Sequence, residues 1–164
     1  MAGLYGENGI AVLDTWNLDA GVKRALPEYG KGEEKLPVYK MPHLETWAMV
    51  GGRAFIPGVG RHEVVIVDVA TWKQVGVVPV AGQPVFVMAQ PDGRRLWVNF
   101  AFPHYDTVQV IDVPSQKIVQ TLQPGKAVLH MEFTPRGEAV WLSVRDGNRL
   151  EVYDTASFRK LAEL

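Results

Sequence analysis

Apolar runs that end in aspartate recur along this chain at Val64-Val65-Ile66-Val67-Asp68, Val108-Gln109-Val110-Ile111-Asp112 and Leu150-Glu151-Val152-Tyr153-Asp154. Ile10-Ala11-Val12-Leu13-Asp14 is a fourth copy. The spacings are 112−68 = 44 and 154−112 = 42, and 68−14 = 54 points to an insertion of about ten residues. Trp97 and Trp141 hold the matching place upstream, again 141−97 = 44 apart, and are expected in the core. A period in the low forties with several short strands per unit is the pattern of a β-propeller, in which each repeat is one four-stranded blade. The expected fold is therefore all-β, with about four blades at approximately 1–40, 41–82, 83–126 and 127–164.

Within a repeat, Gly and Pro mark the turns and alternation marks half-buried strands. In the last repeat, strand A is Val128 to Phe133, B is Ala139 to Val144, C is Arg149 to Tyr153 and D is Arg159 to Leu164. The repeat before it gives A from Val85 to Ala89, B from Arg95 to Phe100, C from Thr107 to Ile111 and D from Lys117 to Leu122. The recurrent aspartate is read as a turn residue whose carboxylate accepts backbone N–H bonds after strand C. The first repeat offers a strand B near Ala2 to Tyr5 with no strand A before it, and the last strand D runs to Leu164. A ring closes by pairing its edges, so the chain reads as about half of a larger propeller. Its open edges invite pairing with another chain, a homodimer among the outcomes.

Composition limits the partners. A formal net charge of −1 argues against a nucleic-acid binder, which needs a basic surface. No apolar run approaches the roughly 18 residues of a transmembrane segment. The absence of cysteine excludes disulfides, thiolate metal sites and cysteine nucleophiles.

Antiparallel strands place the D–A and B–C connections at one end of the ring, and the A–B and C–D turns at the other. All four histidines fall at the first end. His43 and His130 lie at or near the start of a strand A, closest to the axis, and His62 and His104 lie in B–C loops. Arg61, Asn99, Tyr105, Lys126 and Arg145 share that end, with Trp47 and Phe86 in or near the inner strands. Converging imidazoles and cations at the mouth of a ring suit a flat, apolar ligand that carries carboxylates, with or without a metal. Each residue also has an ordinary reading: His62 and His104 as solvated loop residues, His130 as a core histidine, His43 as a residue facing water, Arg145 as a partner of Asp146. The histidine spacings match no local metal motif, and no nucleophile elbow, P-loop or dinucleotide fingerprint is present.

The stretch Lys126-Ala127-Val128-Leu129-His130-Met131-Glu132-Phe133-Thr134-Pro135-Arg136-Gly137, followed by Val140-Trp141 and Ser143-Val144-Arg145-Asp146, resembles the d1-haem propeller family. Val152-Tyr153-Asp154-Thr155 and Leu161-Ala162-Glu163-Leu164 continue the likeness. Gly32 to Lys40, Pro42-His43-Leu44-Glu45-Thr46-Trp47 and Gly58-Val59-Gly60-Arg61-His62-Glu63 are similar to the biosynthetic members of that family rather than to its nitrite reductase. The resemblance implies an eight-bladed propeller, of which this chain is the second half. It implies a protein that binds d1 haem, or dihydro-d1 haem as a late precursor, with a dehydrogenase-like step. Its product would be the cofactor of cytochrome cd1 nitrite reductase in denitrification, its partners other d1-haem maturation proteins and the reductase, and its compartment the periplasm. The reductase itself needs a c-type haem domain, and no Cys-x-x-Cys-His motif exists here. Gly52 and Phe100 lie near the places of its distal histidine pair, which weighs against nitrite reduction. His43, Arg61, His62, His104, Tyr105, His130 and Arg145 are the candidate cofactor-binding residues, with His130 the candidate metal ligand. The alternative from a different class is a non-enzymatic repeat propeller that docks protein on its histidine face.

Overall fold

A computed structural model describes residues 1–3, 9–27, 46–101 and 103–164. Among these residues the regular structure is strand, interrupted only by three short 3-10 turns. Strands β1 (Ala2–Gly3), β2 (Ile10–Leu13) and β3 (Val22–Ala25) form a three-stranded sheet. Strands β4 (Ala48–Val50), β5 (Arg53–Gly58), β6 (Glu63–Asp68) and β7 (Lys73–Pro79) form the next. A third holds β8 (Pro84–Ala89), β9 (Arg95–Phe100), β10 (Val108–Asp112) and β11 (Lys117–Leu122). The last holds β12 (Val128–Phe133), β13 (Ala139–Val144), β14 (Arg149–Asp154) and β15 (Lys160–Glu163). Every sheet is antiparallel with its strands in sequence order, so each is a meander. The chain is all-β and built as a propeller. Of the expected first strand, Ala2 and Gly3 are in place, and Leu4 and Tyr5 lie outside the described residues.

The core follows from the pleat. Successive residues of a strand point to opposite faces, and a middle strand flanked by two sheets must be apolar on both. In β5, Ala54 and Ile56 pack toward the first sheet with Ile10, Val12, Val65 and Val67, whereas Phe55 packs toward the third with Val87, Leu96, Val98 and Phe100. β9 repeats the division, with Leu96, Val98 and Phe100 facing back and Trp97 facing forward into Val128, Met131, Val140 and Leu142. Trp97 is fully buried, with Phe133 and Phe158 ring centroids at 6.2 and 6.0 Å. Trp141, its counterpart, is 39% exposed. The expectation that both are core residues fails for Trp141, because its side of the last sheet has no sheet packed on it among the described residues.

The recurrent aspartates are turn residues. Asp68, Asp112 and Asp154 accept the backbone N–H of Thr71, Ser115 and Ser157 at 2.8, 3.1 and 2.6 Å, and the hydroxyls of the same residues at 2.8, 2.7 and 2.6 Å. Those bonds, the hydroxyl one foremost, hold the three carboxyls below the ordinary range for aspartate. Each turn closes on a left-handed residue, Trp72, Gln116 or Phe158. In the first sheet this turn is longer by three residues, with 22−14 = 8 from Asp14 to β3 against 73−68 = 5 from Asp68 to β7. Asp14 caps the N–H of Trp16 at 2.9 Å, a 3-10 turn covers Leu18–Ala20, and Gly21 takes the left-handed place.

Candidate functional site

Hydrogen bonds between connections fix the loop-rich end. The N–H of Val80 donates to the carbonyl of His62, that of Ala101 to Gln83, and that of Val128 to Tyr105. Arg145 and Asp146 donate to the carbonyls of Ala127 and Lys126. The B–C and D–A connections therefore lie together, as the topology requires, and Arg61, His62, His104, Tyr105, Lys126 and Arg145 share one end. His43 lies outside the described residues.

Local geometry separates these candidates. His62 ends a 3-10 turn over Val59–Arg61 in the left-handed conformation, and Asn148 ends the corresponding turn over Arg145–Gly147 in the same way. Its backbone thus has a turn role, while its side chain is exposed on the rim. The His104 ring lies on Gly82. A Cβ there would sit 2.8 Å from the imidazole Cδ2, so only glycine admits the ring in this pose. Arg145 is exposed, and its Nε donates to Asp146 Oδ1 at 2.9 Å, so its guanidinium is already paired.

His130 is the third residue of β12 and is not a core residue, since its side chain is 50% exposed. Its ring stands edge-on to Phe86 of the preceding innermost strand, with centroids 5.9 Å apart and planes at 84°. Its Nε2 lies 3.5 Å from Glu132 Oε2. Its backbone N–H donates to Ser143 Oγ at 2.9 Å. His130 also borders an open cleft of about 450 Å³ shared with Glu132, Trp141, Ser143 and Leu150, on the side of the last sheet that no other sheet covers among the described residues. Glu132 and Ser143 were not legible as site residues from sequence. The i, i+2 spacing that puts Glu132 and His130 on one side of a strand was the signal available.

Among the described residues no cluster of three or more His, Asp or Glu side chains is placed to hold a bare metal ion. A metal already enclosed in a macrocycle would ask less of the protein, as little as a single donor side chain. One half-exposed imidazole on an innermost strand, an aromatic ring beside it, and exposed guanidinium groups on the neighbouring loops fit such a group. No helix among the described residues is long and apolar enough to cross a membrane.

The Cytochrome D1 heme domain family matches residues 1–164. The chain is 53% identical over its whole length to Protein NirF of Pseudomonas aeruginosa and, equally, to that of Stutzerimonas stutzeri. It spans 42% of the length of each. Among solved structures it is similar to dihydro-heme d1 dehydrogenase NirN in complex with DHE, at 28% identity and a TM-score of 0.72. That likeness covers 96% of this chain and 33% of that one. The sheets, their order and this match along the whole sequence agree, and the chain belongs to the Cytochrome D1 heme domain family, in which it is of the NirF type.

Proposed function

We propose that this chain is part of a d1-haem biosynthesis protein whose loop-rich end binds d1 haem or its late dihydro precursor, for delivery to cytochrome cd1 nitrite reductase in denitrification. The family and the NirF likeness support the pathway. The half-exposed His130 imidazole, braced against Phe86 on an innermost strand, carries the assignment of the place. Its ring would supply the donor that holds the metal of such a macrocycle. Glu132 lies within reach of Nε2, and a carboxylate in that position orients the ring and fixes its tautomer. Arg61 and Arg145 suit peripheral carboxylates, because a planar guanidinium meets a carboxylate with two parallel bonds. His62, His104 and Tyr105 complete the rim, and His43 belongs to the same set by its place in the sequence.

A bound d1-type macrocycle would supply the redox chemistry, and a dehydrogenase-like step on its precursor is part of the proposal. The NirN relative is a dehydrogenase by name. Residues of this chain bind and orient the ring and hold it at the mouth. The proposed compartment is the periplasm, and the proposed partners are other d1-haem maturation proteins and the reductase.

Titration of d1 haem into the protein tests this. A Soret shift is expected, and His130→Ala should change the spectrum of the bound form. Arg145→Ala should weaken binding about three- to tenfold without changing that spectrum. This falls below the range for a charged hydrogen bond, which starts at about twelvefold, because Asp146 already competes for the exposed guanidinium. Arg136, at the opposite end and beside Glu138 at 3.5 Å, is the control whose loss should do neither. Absence of any spectral response would favour the interaction scaffold. Equal effects at Arg136 and Arg145 would put the site at the other end.

A further inference from the structure

The innermost strands β8 and β12 break their ladders at the same place. Register slips between Pro84 and Val87 in one, and between Val128 and Met131 in the other. A bulge releases backbone groups from the ladder, and those turned inward need other partners. In β12 the partner is Ser143, whose Oγ accepts the N–H of His130 at 2.9 Å and donates to its carbonyl at 3.3 Å. In β8 the partner is Asn99, 99 = 143 − 44, whose Oδ1 accepts the N–H of Phe86 at 2.9 Å. Asn99 does more than Ser143. Its Nδ2 crosses to the next sheet and donates to the carbonyls of Val128 at 2.8 Å and Leu129 at 3.2 Å, the residues that lead into His130.

One side chain, 1% exposed, therefore ties the two bulges together. What the bulges carry is the pair Phe86 and His130, whose rings meet edge-on. The chemistry of the position is specific. The Phe86 N–H demands an acceptor, and two converging carbonyls demand a donor, so the amide has one orientation and no isostere. A carboxylate would face two carbonyl oxygens, and a serine hydroxyl reaches only its own sheet, as Ser143 does.

We infer that Asn99 is a positioning residue of the tetrapyrrole site: by clamping the bulges of two adjacent innermost strands, it sets the His130 imidazole against Phe86 in the pose that receives the metal of a planar macrocycle. This rests on the reading of the loop-rich end as the tetrapyrrole site. Binding sites need their ligating side chains held within a fraction of an ångström, and buried outer partners supply that.

Asn99→Ser is the test, because it keeps a cap of the kind the last sheet already uses and removes only the crossing bonds. Gln109→Ala is the control. Gln109 is also buried and also holds another segment of backbone, accepting the N–H of Ala81 in the connection before β8 at 2.9 Å, but it sits on β10 and makes no bond to either bulge. Two readouts are taken: the imidazole resonances of His130 in ligand-free protein, and the affinity and Soret spectrum with added d1 haem. For Asn99→Ser the expected result is displaced His130 resonances, affinity lower by about ten- to a hundredfold as for loss of an outer-shell partner, and a bound spectrum moved toward that of His130→Ala. Gln109→Ala should lower the melting temperature and leave both readouts as in wild type. Unmoved His130 resonances in Asn99→Ser would overturn the inference, as would an unchanged haem spectrum in a protein where His130→Ala does change it. Moved resonances in a protein whose haem spectrum ignores His130→Ala would sustain the clamp and overturn the haem reading instead.

Discussion

The third and fourth sheets are built from one pattern and live in different surroundings. Trp97 and Trp141 occupy the same place on the second strand, one fully buried and one 39% exposed. Gln109 and Glu151 occupy the same place on the third strand, and both are buried facing the preceding sheet. Gln109 meets that position with an amide bonded to a backbone N–H. Glu151, 1% exposed, meets it with a charge, and so must bring its own counterions. The pair of sheets teaches that a repeat fixes where a side chain points, whereas the neighbouring sheet fixes what that direction is worth.

The largest test of this contrast is the tryptophan pair. Trp97→Ala removes a ring enclosed by Val128, Met131, Val140, Leu142, Phe133 and Phe158, and should cost about 3–5 kcal/mol. Trp141→Ala removes a ring that already meets water on one side and should cost a small fraction of that. Urea unfolding of both variants decides it. Equal losses would mean that the outer side of the last sheet is covered in solution, and the contrast between the sheets would disappear.

How far the sequence shows these things depends on range. The strands of the last two repeats, their turns and the capping aspartates are local, set by alternation, Gly/Pro punctuation and carboxylate chemistry, and all were legible. The common end of the B–C and D–A loops was legible too, because antiparallel order fixes it. The exposure of Trp141 was not, since the 44-residue match with Trp97 says nothing about which sides of the sheets are covered among the described residues. Nor were Ser143 and the reach of Asn99 across two sheets. Those depend on bulges, and a bulge leaves no mark in a hydrophobic pattern.

A second test concerns the buried charge. Tyr153 Oη donates to Glu151 Oε2 at 2.6 Å, Arg149 Nε donates to Oε1 at 2.7 Å, and Lys160 Nζ stands 3.5 Å from Oε1. Arg149 also donates to the carbonyl of Pro124 at 2.7 Å, which ties the last sheet to the connection before it. Burial pushes the Glu151 carboxyl up, but the bonds from Tyr153 and Arg149 and the charge of Lys160 outweigh it, and the net shift is downward. The same burial and the bond to Glu151 push the Tyr153 phenol well above its ordinary range, so it remains a donor at neutral pH. Glu151→Gln should cost about 1.5–3 kcal/mol, the range for hydrogen bonds to a charged group. Because the folded carboxyl titrates below the unfolded one, its contribution is present above the unfolded value of about 4.3 and is lost as pH falls through the folded one. Wild type should therefore lose its advantage over Glu151→Gln on acidification below that point. An advantage independent of pH would show that the carboxylate charge is not what holds the network.

The smallest effect is expected at the turn aspartates, where both sheets behave alike. Asp112 and Asp154 make the same two bonds to a serine three residues on, in the third and fourth sheets respectively. Both lie at the end away from the candidate site and near solvent, so neither gains the strength that burial gives Glu151. Asp112→Asn keeps an oxygen acceptor for the Ser115 N–H and removes only the charge, and Asp112→Ala removes both. The ordering expected in thermal melts is a barely measurable loss for Asn and a larger one for Ala, still below that at Glu151. Since the folded carboxyls titrate below the unfolded value, this contribution too is lost toward acid, for Asp112 and Asp154 alike. Haem affinity should not change in either variant. A loss of affinity in Asp112→Ala without a loss of stability would mean that the turn end of the ring touches the ligand, and that the two ends have been assigned in reverse.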